Sequence, residues 1–380
     1  MYKACSSYID DIKKFGSICF IDSSAVKENY KILCDKAGGK KVIPVIKANA
    51  YSLGISNIAP VLTQAGANEF FVATFSEALE LHGLIADNGE KNNIYCLHGA
   101  NHLQINELIE LDIIIVINSI EQIILCIEYA KKYNSIPRVV LHFDTGMNRL
   151  GIKYEEHKKW LLDNHDDITR YLDIQYIMSH LAVSDKIDSD YNIMQLQKLL
   201  AVKEIYPTYK YSLAASYGIY LGKEFILDMV RPGFAIYGCD VHYNENDTKL
   251  KQVIYMYSSI IGINNCSVGE TVGYGATWRA KRNTKTAVIS LGYKDGFLNN
   301  IKTAGVYING EYAKILGRVS MDQVVIDVTD ISSDHVYINS IVEIVGESCS
   351  IDDRAQELGL IQCETLISIG SRYCKKLINF

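Results

Sequence analysis

The chain has 380 residues, 48% hydrophobic and 22% charged, which is long enough for two domains and a substantial core. A formal net charge of −6 argues against a nucleic-acid-binding surface. The ten cysteines are scattered with no C-x-x-C pair, which disfavours zinc and thioredoxin-like chemistry and suits buried thiols in a reducing compartment. The opening MYKACSSYIDDIKKFG lacks an apolar signal segment, and the later apolar runs are too short to span a bilayer. The expectation is a soluble cytoplasmic protein with no membrane or nucleic-acid partner.

Taken in chain order, an opening strand at SICFID (17–22) is followed by short apolar, β-branched runs separated by helical patterns. The runs are VIPVIK (42–47), FFVATF (70–75), NIYCLHG (93–99), DIIIVIN (112–118), RVVLHFD (138–144), DIQYIMSH (173–180), YKYSLAAS (209–216) and DMVRPG (228–233). Between them, segments such as SEALELHGLIAD (76–87) and SIEQIILCIEYAKKY (119–133) carry apolar residues at helical spacing. Alternating strand and helix predicts a parallel sheet, and eight such units predict an α/β fold of the (β/α)8 barrel type. A doubly wound open sheet is the rival, but no glycine-rich dinucleotide turn follows the early strands. Beyond about residue 245 the texture changes to strands and turns, including an Asn-Gly hairpin at Y-I-N-G-E-Y (307–312). Helical pattern returns only in the last 30 or so residues. The expected organisation is a barrel over 1–245 and a mostly β C-terminal domain over 246–380, the opening strand fitting either.

In such a barrel the chemistry lies at the C-terminal ends of the strands. There the sequence puts Lys47, Arg149 in D-T-G-M-N-R-L-G (144–151), His180, Ser216, and Arg231 with Pro232 and Gly233. No carboxylate pair or metal-ligand set stands out, and a cationic mouth suits an anionic ligand. S-Y-G (216–218) and P-G-F (232–234) follow the seventh and eighth strands, where barrels bind phosphate through backbone N–H groups. Phosphate there, with a lysine ending the first strand, is the layout for a pyridoxal phosphate Schiff base, with Ala48-Asn49-Ala50 leaving room for the ring. Singly, each residue has a structural reading: a solvated edge lysine, an arginine on a loop carbonyl, a core histidine, a serine cap.

V-I-K-A-N-A-Y-S-L-G (45–54), D-T-G-M-N-R-L-G, S-H-L-A-V-S-D (179–185), R-P-G-F-A-I-Y-G (231–238), G-Y-G-A-T-W (273–278), G-Y-K-D-G-F (292–297) and G-R-V-S-M-D-Q (317–323) together resemble the alanine racemases. The resemblance runs in order from about residue 18 to 380. It implies a barrel that binds pyridoxal 5'-phosphate, a β domain, and a homodimer whose active sites draw on both subunits. By motif, Lys47 corresponds to the Schiff-base lysine and one catalytic base, and Tyr274 to the opposing base from the other subunit. Arg231 corresponds to the residue facing the pyridine nitrogen. His180 corresponds to the histidine that lies near the ring and links the arginine to the tyrosine base. Tyr51, Ser216, Gly233 and Phe234 match the family's phosphate cradle. Arg149, the backbone N–H of Met321, and Asp322 match the substrate-carboxylate end, and Tyr293 matches a tyrosine lining the entrance. The activity implied is two-base interconversion of L- and D-alanine on the cofactor, supplying D-alanine for peptidoglycan.

The sequence departs from the family pattern at three places. His142 stands where many members have a lysine, often carbamylated, so no carbamate is expected and Arg149 is held differently. Ala215 replaces the usual asparagine before Ser216, and Ser371 replaces a tyrosine near cofactor and substrate. The smaller Ser371 predicts a wider, more polar pocket with appreciable serine activity. The pattern also resembles the racemase domain of the serine racemases of vancomycin resistance, so an alanine/serine or broad-specificity racemase is the alternative. Related decarboxylases place an acid at the pyridine nitrogen, where Arg231 stands here. Non-catalytic pyridoxal phosphate carriers resemble the barrel alone.

Overall fold

The computed structural model describes residues 8–85, 92–241, 243–244, 247–296, 304–370 and 372–379. The expected boundary at 245/246 and the substitution at Ser371 both lie outside these residues, as does Phe297 of the G-Y-K-D-G-F motif. Strand β1 (Ser17–Asp22) is followed by eight parallel strands: β2 (Lys41–Val42), β3 (Glu69–Val72), β4 (Asn93–Cys96), β5 (Ile114–Ile117), β6 (Arg138–His142), β7 (Asp173–Met178), β8 (Tyr211–Ala215) and β9 (Met229–Arg231). Their order is β2-β9-β8-β7-β6-β5-β4-β3. A parallel bridge from Val45 to Phe71 joins the two outer strands, so the sheet closes into the expected barrel. Ile114 to Ile117 are buried on both faces, as a parallel strand between a filled barrel interior and an outer ring of helices requires. The interior is packed by side chains such as Ile43, Phe71, Tyr95, Val140, Tyr176 and Met229.

Local chemistry sets the helix limits. The Asp22 carboxylate accepts the N–H groups of Ser24 (2.9 Å) and Ala25 (3.1 Å), starting helix Ser23–Lys36. Ser119 caps helix Ile120–Tyr133, which ends at Asn134 in the left-handed region. The first barrel strand is shorter than the apolar run 42–47. Pro44 has no N–H to give the ladder, so regular pairing covers only Lys41–Val42 before contact resumes at Val45.

The second sheet contains β10 (Ile254–Cys266), β13 (Thr284–Ile289), β14 (Gly305–Ile308), β15 (Glu311–Leu316), β16 (Val324–Asp327), β17 (Ile341–Val345) and β18 (Cys374–Ile378), in the order β13-β16-β15-β14-β17-β10-β1-β18. β10 also pairs with β13, curling the sheet, with a register shift between Ile260 and Gly262. The Asn309-Gly310 turn has positive φ at both residues, as a two-residue hairpin demands. The opening strand joins this sheet, antiparallel to β10 and parallel to β18. Helices Ile351–Leu358 and Gln362–Ser368 precede β18, a strand the sequence pattern does not announce. A separate ribbon, β11 (Thr271–Val272) with β12 (Trp278–Arg279), carries the G-Y-G loop at its tip. No described helix is long and apolar enough to cross a membrane.

Candidate active site

The C-terminal ends of the barrel strands surround a cavity of about 730 Å³. Eight of the candidate site residues named from the sequence line it, Lys47, Tyr51, Arg149, His180, Ser216, Arg231, Gly233 and Phe234, together with His142 and Ala215. Lys47 follows β2 and opens a turn in which Ala48, Asn49, Ala50, Tyr51 and Ser52 all have φ between 52° and 66°. The chain after Lys47 therefore runs through a left-handed backbone turn in which none of the five residues is glycine. Burial, then the positive charge of Arg149, lowers the Lys47 amine below its ordinary value.

Arg231 is buried and makes no ion pair among the described residues. Its guanidinium donates to Ser212 Oγ, the Ser179 carbonyl (2.5 Å) and, more distantly, the Leu213 carbonyl (3.5 Å). Burial brings it down to about 10, so it stays protonated at neutral pH. Desolvation, followed by Arg231, Arg149, Lys47 and His142, holds His180 well below the usual histidine range.

Ser216 Oγ accepts the N–H groups of Gly233 (3.0 Å) and Ala235 (3.2 Å), which leaves its own proton free for an anion. A Cβ on Gly233 would lie 2.2 Å from Tyr51 Oη, so only glycine allows the phenol to close against this loop. Short 3-10 turns, Tyr217–Tyr220 and Phe234–Tyr237, open here, and the rings of Tyr217 and Phe234 pack at 4.8 Å.

Opposite stands a pair centred on His142. Asn118 Nδ2 donates to the carbonyls of Leu97 (2.9 Å) and Val116 (3.0 Å), leaving Oδ1 to accept from His142 Nδ1 at 2.7 Å. The proton is thus fixed on Nδ1 and Nε2 is bare. Burial, then Arg231, lowers His142 to about 3. The loop carrying Arg149 returns onto β6 through Ile152 N–H to the His142 carbonyl (2.8 Å) and Asp144 N–H to the Ile152 carbonyl (3.0 Å). Arg149 sits exposed at the rim.

Tyr274, Tyr293, Met321 and Asp322 lie elsewhere, on an outer surface of the β sheet. Tyr274 is 73% exposed on its glycine-flanked tip, and Tyr293 and Met321 are exposed too. The three motifs meet there. Tyr293 N–H donates to the Ser320 carbonyl (2.9 Å), Lys294 N–H to the Met321 carbonyl (3.2 Å), and a Cβ on Gly317 would strike the Val272 carbonyl at 2.5 Å. Arg372 pairs with Asp295 and Asp322 beneath them. Within one chain, then, Tyr274 does not share the cavity with Lys47 and His180.

Two family models match the chain: alanine racemase, N-terminal domain, over residues 21–241, and alanine racemase, C-terminal domain, over 253–377. The chain is 38% identical over 357 residues to an alanine racemase of Rickettsia canadensis, covering 94% of this chain and 97% of that protein. The chain belongs to the alanine racemase family.

Solved alanine racemases share its fold. One from Bartonella henselae with covalently bound pyridoxal phosphate superposes with a TM-score of 0.90 at 34% identity, covering 96% of this chain and 99% of that one. A biosynthetic alanine racemase from Pseudomonas aeruginosa gives 0.85 at 27% identity, covering 96% and 99%. As a member of the alanine racemase family the chain is an isomerase.

Three lining or supporting residues escaped the sequence reading. Asn118 ends an apolar strand, where a lone amide is a signal of a buried polar partner. Cys363, from helix Gln362–Ser368, lines the cavity beside Lys47, and burial pushes its thiol up to about 11. Glu77 completes T-F-S-E (74–77), a capping-box pattern.

Proposed function

We propose that this chain interconverts L- and D-alanine on bound pyridoxal phosphate, with Lys47 and the Tyr274 of a second copy as the two bases. Arg231 is the observation that carries this reading. It is a buried, protonated guanidinium with no carboxylate paired to it among the described residues. A carboxylate facing a pyridine nitrogen keeps that nitrogen protonated, whereas a guanidinium only donates and leaves it bare. The electron sink is then moderate, which suits prompt return of a proton and disfavours decarboxylation.

The residues fit the cofactor. Lys47 offers the amine, Arg231 a donor for the ring nitrogen, and Tyr51, Ser216, Gly233 and Phe234 a phosphate cradle with a free hydroxyl proton and the N–H groups of a short helix start. When bound, pyridoxal phosphate supplies an electron sink that makes the Cα–H of an attached amino acid acidic. Lys47 Nζ takes or returns a proton on one face of Cα. Its lowered proton affinity makes the neutral amine more accessible than in a free lysine, whose reference pKa is ~10.4. Tyr274 Oη acts on the other face, so the substrate need not turn over. Arg149 receives the substrate carboxylate with the Met321 N–H, Asp322 frames that end, and Tyr293 lines the entrance. His180, which lines the cavity near Arg231, would link Arg231 to the incoming phenol once the cofactor is bound.

The exposure of Tyr274 supports a homodimer in which each barrel mouth is completed by the other copy's β sheet. We place the boundary between the two units near 245, the reaction in the cytoplasm, and its D-alanine in peptidoglycan supply. Reduction of the loaded protein with borohydride, followed by peptide mapping, tests the central assignment. The pyridoxyl group is expected on Lys47, and a label on another residue overturns it.

A further inference from the structure

We propose that Glu77 is a positioning residue for Lys47, one carboxylate oxygen fixing the helix after β3 and the other fixing the backbone that leaves Lys47. This rests on the assignment of Lys47 as the amine that holds the cofactor.

The first oxygen does ordinary work. Helix Phe75–Ile85 begins after Thr74, whose Oγ1 accepts Glu77 N–H at 3.2 Å. In return Glu77 Oε2 accepts the N–H groups of Thr74 (3.3 Å) and Ala73 (2.8 Å). That is a reciprocal cap, complete with this oxygen alone. The second oxygen crosses the seam where β2 and β3 close the barrel. Glu77 Oε1 accepts Ala48 N–H at 2.6 Å and Asn49 N–H at 3.3 Å. These are the two residues directly after Lys47, and both have φ of 53°.

A left-handed conformation is strained for any residue with a Cβ, and five such residues occur here in succession. The first N–H groups of such a turn have no acceptor within it, as at any helix start. An anionic oxygen is the strongest acceptor available to them. The far end of the turn is tied by Asn49 Oδ1, which accepts Ile55 N–H at 2.7 Å. Glu77 therefore sets the direction in which the chain leaves Lys47, and with it the aim of the amine. Its charge also raises the proton affinity of Lys47, against burial and Arg149, with Cys363 acting in the same sense as Glu77.

The test compares Glu77→Gln with Thr74→Ala in the full-length protein. Thr74→Ala weakens the helix cap but leaves the crossing oxygen in place. Glu77→Gln turns one oxygen into a donor that cannot serve both sites. Three quantities are measured: melting temperature, affinity of the cofactor-stripped chain for pyridoxal phosphate, and amide exchange over 48–52. Both variants should melt earlier. Glu77→Gln alone should weaken pyridoxal phosphate binding about tenfold or more, the worth of one charged hydrogen bond, and speed exchange over 48–52. If the two variants melt alike and neither alters affinity or exchange over 48–52, Glu77 is only a helix cap and the proposal fails. Should Glu77→Gln not fold, Glu77→Asp, which keeps the charge but withdraws it by one methylene, is read in the same way. Borohydride mapping of the unsubstituted protein separates the two claims. A label away from residue 47 removes the premise, while the exchange comparison still reports whether Glu77 holds the turn.

Discussion

At the scale of single residues, the His142–Asn118 pair shows how a polar group survives beneath an arginine-rich mouth. The asparagine amide spends its nitrogen on two carbonyls and presents its oxygen, so the imidazole donates from Nδ1 and stays neutral. In the folded chain its pKa is about 3, below the ~6.5 of an exposed histidine. The unfolded chain therefore binds a proton first as pH falls. The contribution of His142 to stability is constant above about pH 6.5 and declines below it, by about 1.4 kcal/mol per pH unit, until the pH reaches the folded value. His142→Leu should flatten that decline, read as urea midpoints at pH 6.5, 5.5 and 4.5. An unchanged slope would show that other groups carry the acid sensitivity. The histidine was visible in the sequence as a departure from the family lysine. Its partner was not, because nothing local to Asn118 says which side chain it will meet across the barrel.

At the scale of elements, the turn that follows β2 and the loop that follows β9 close on each other through Tyr51 and Gly233. A methyl at Gly233 would overlap the Tyr51 hydroxyl. Overpacking of this kind costs about 1–3 kcal/mol of folding stability, so Gly233→Ala should lower the unfolding free energy by about that much. Adding Tyr51→Phe, which removes the colliding oxygen, should recover part of that loss in an equilibrium urea titration. No loss in the single variant would mean the loop moves aside freely. The eight apolar runs announced the barrel strands because a parallel strand buried on both faces must be continuously apolar. The turn after Lys47 was illegible for an equally physical reason. A succession of positive φ values is usually marked by glycine, and here Ala-Asn-Ala-Tyr-Ser adopts it, held by a carboxylate from another element. The final strand β18 was hidden too: C-K-K-L-I alternates too weakly to stand out, and its partner β1 lies at the other end of the sequence.

At the scale of the whole molecule, one chain holds both halves of the site but not together. Lys47 lies in the barrel cavity and Tyr274 on an exposed tip. Lys47→Ala and Tyr274→Phe should each abolish most racemisation. Mixed and allowed to exchange subunits, they should recover about a quarter of the normal rate, since half the pairs are mixed and each mixed pair keeps one intact site. Recovery is read as deuterium uptake at Cα of L-alanine in heavy water, and its absence after proven exchange would argue against active sites shared between subunits.

The pairing of β1 with both β10 and β18 has a consequence for how the molecule is made. On the ribosome, the stretch that builds the barrel emerges before the rest of the second sheet and can collapse by itself. Residues 17–22, though synthesised earlier, must wait for both neighbours before their two edges are covered. A nascent chain halted before residue 374 leaves one flank of that early strand bare, a sticky edge of the kind that seeds aggregation.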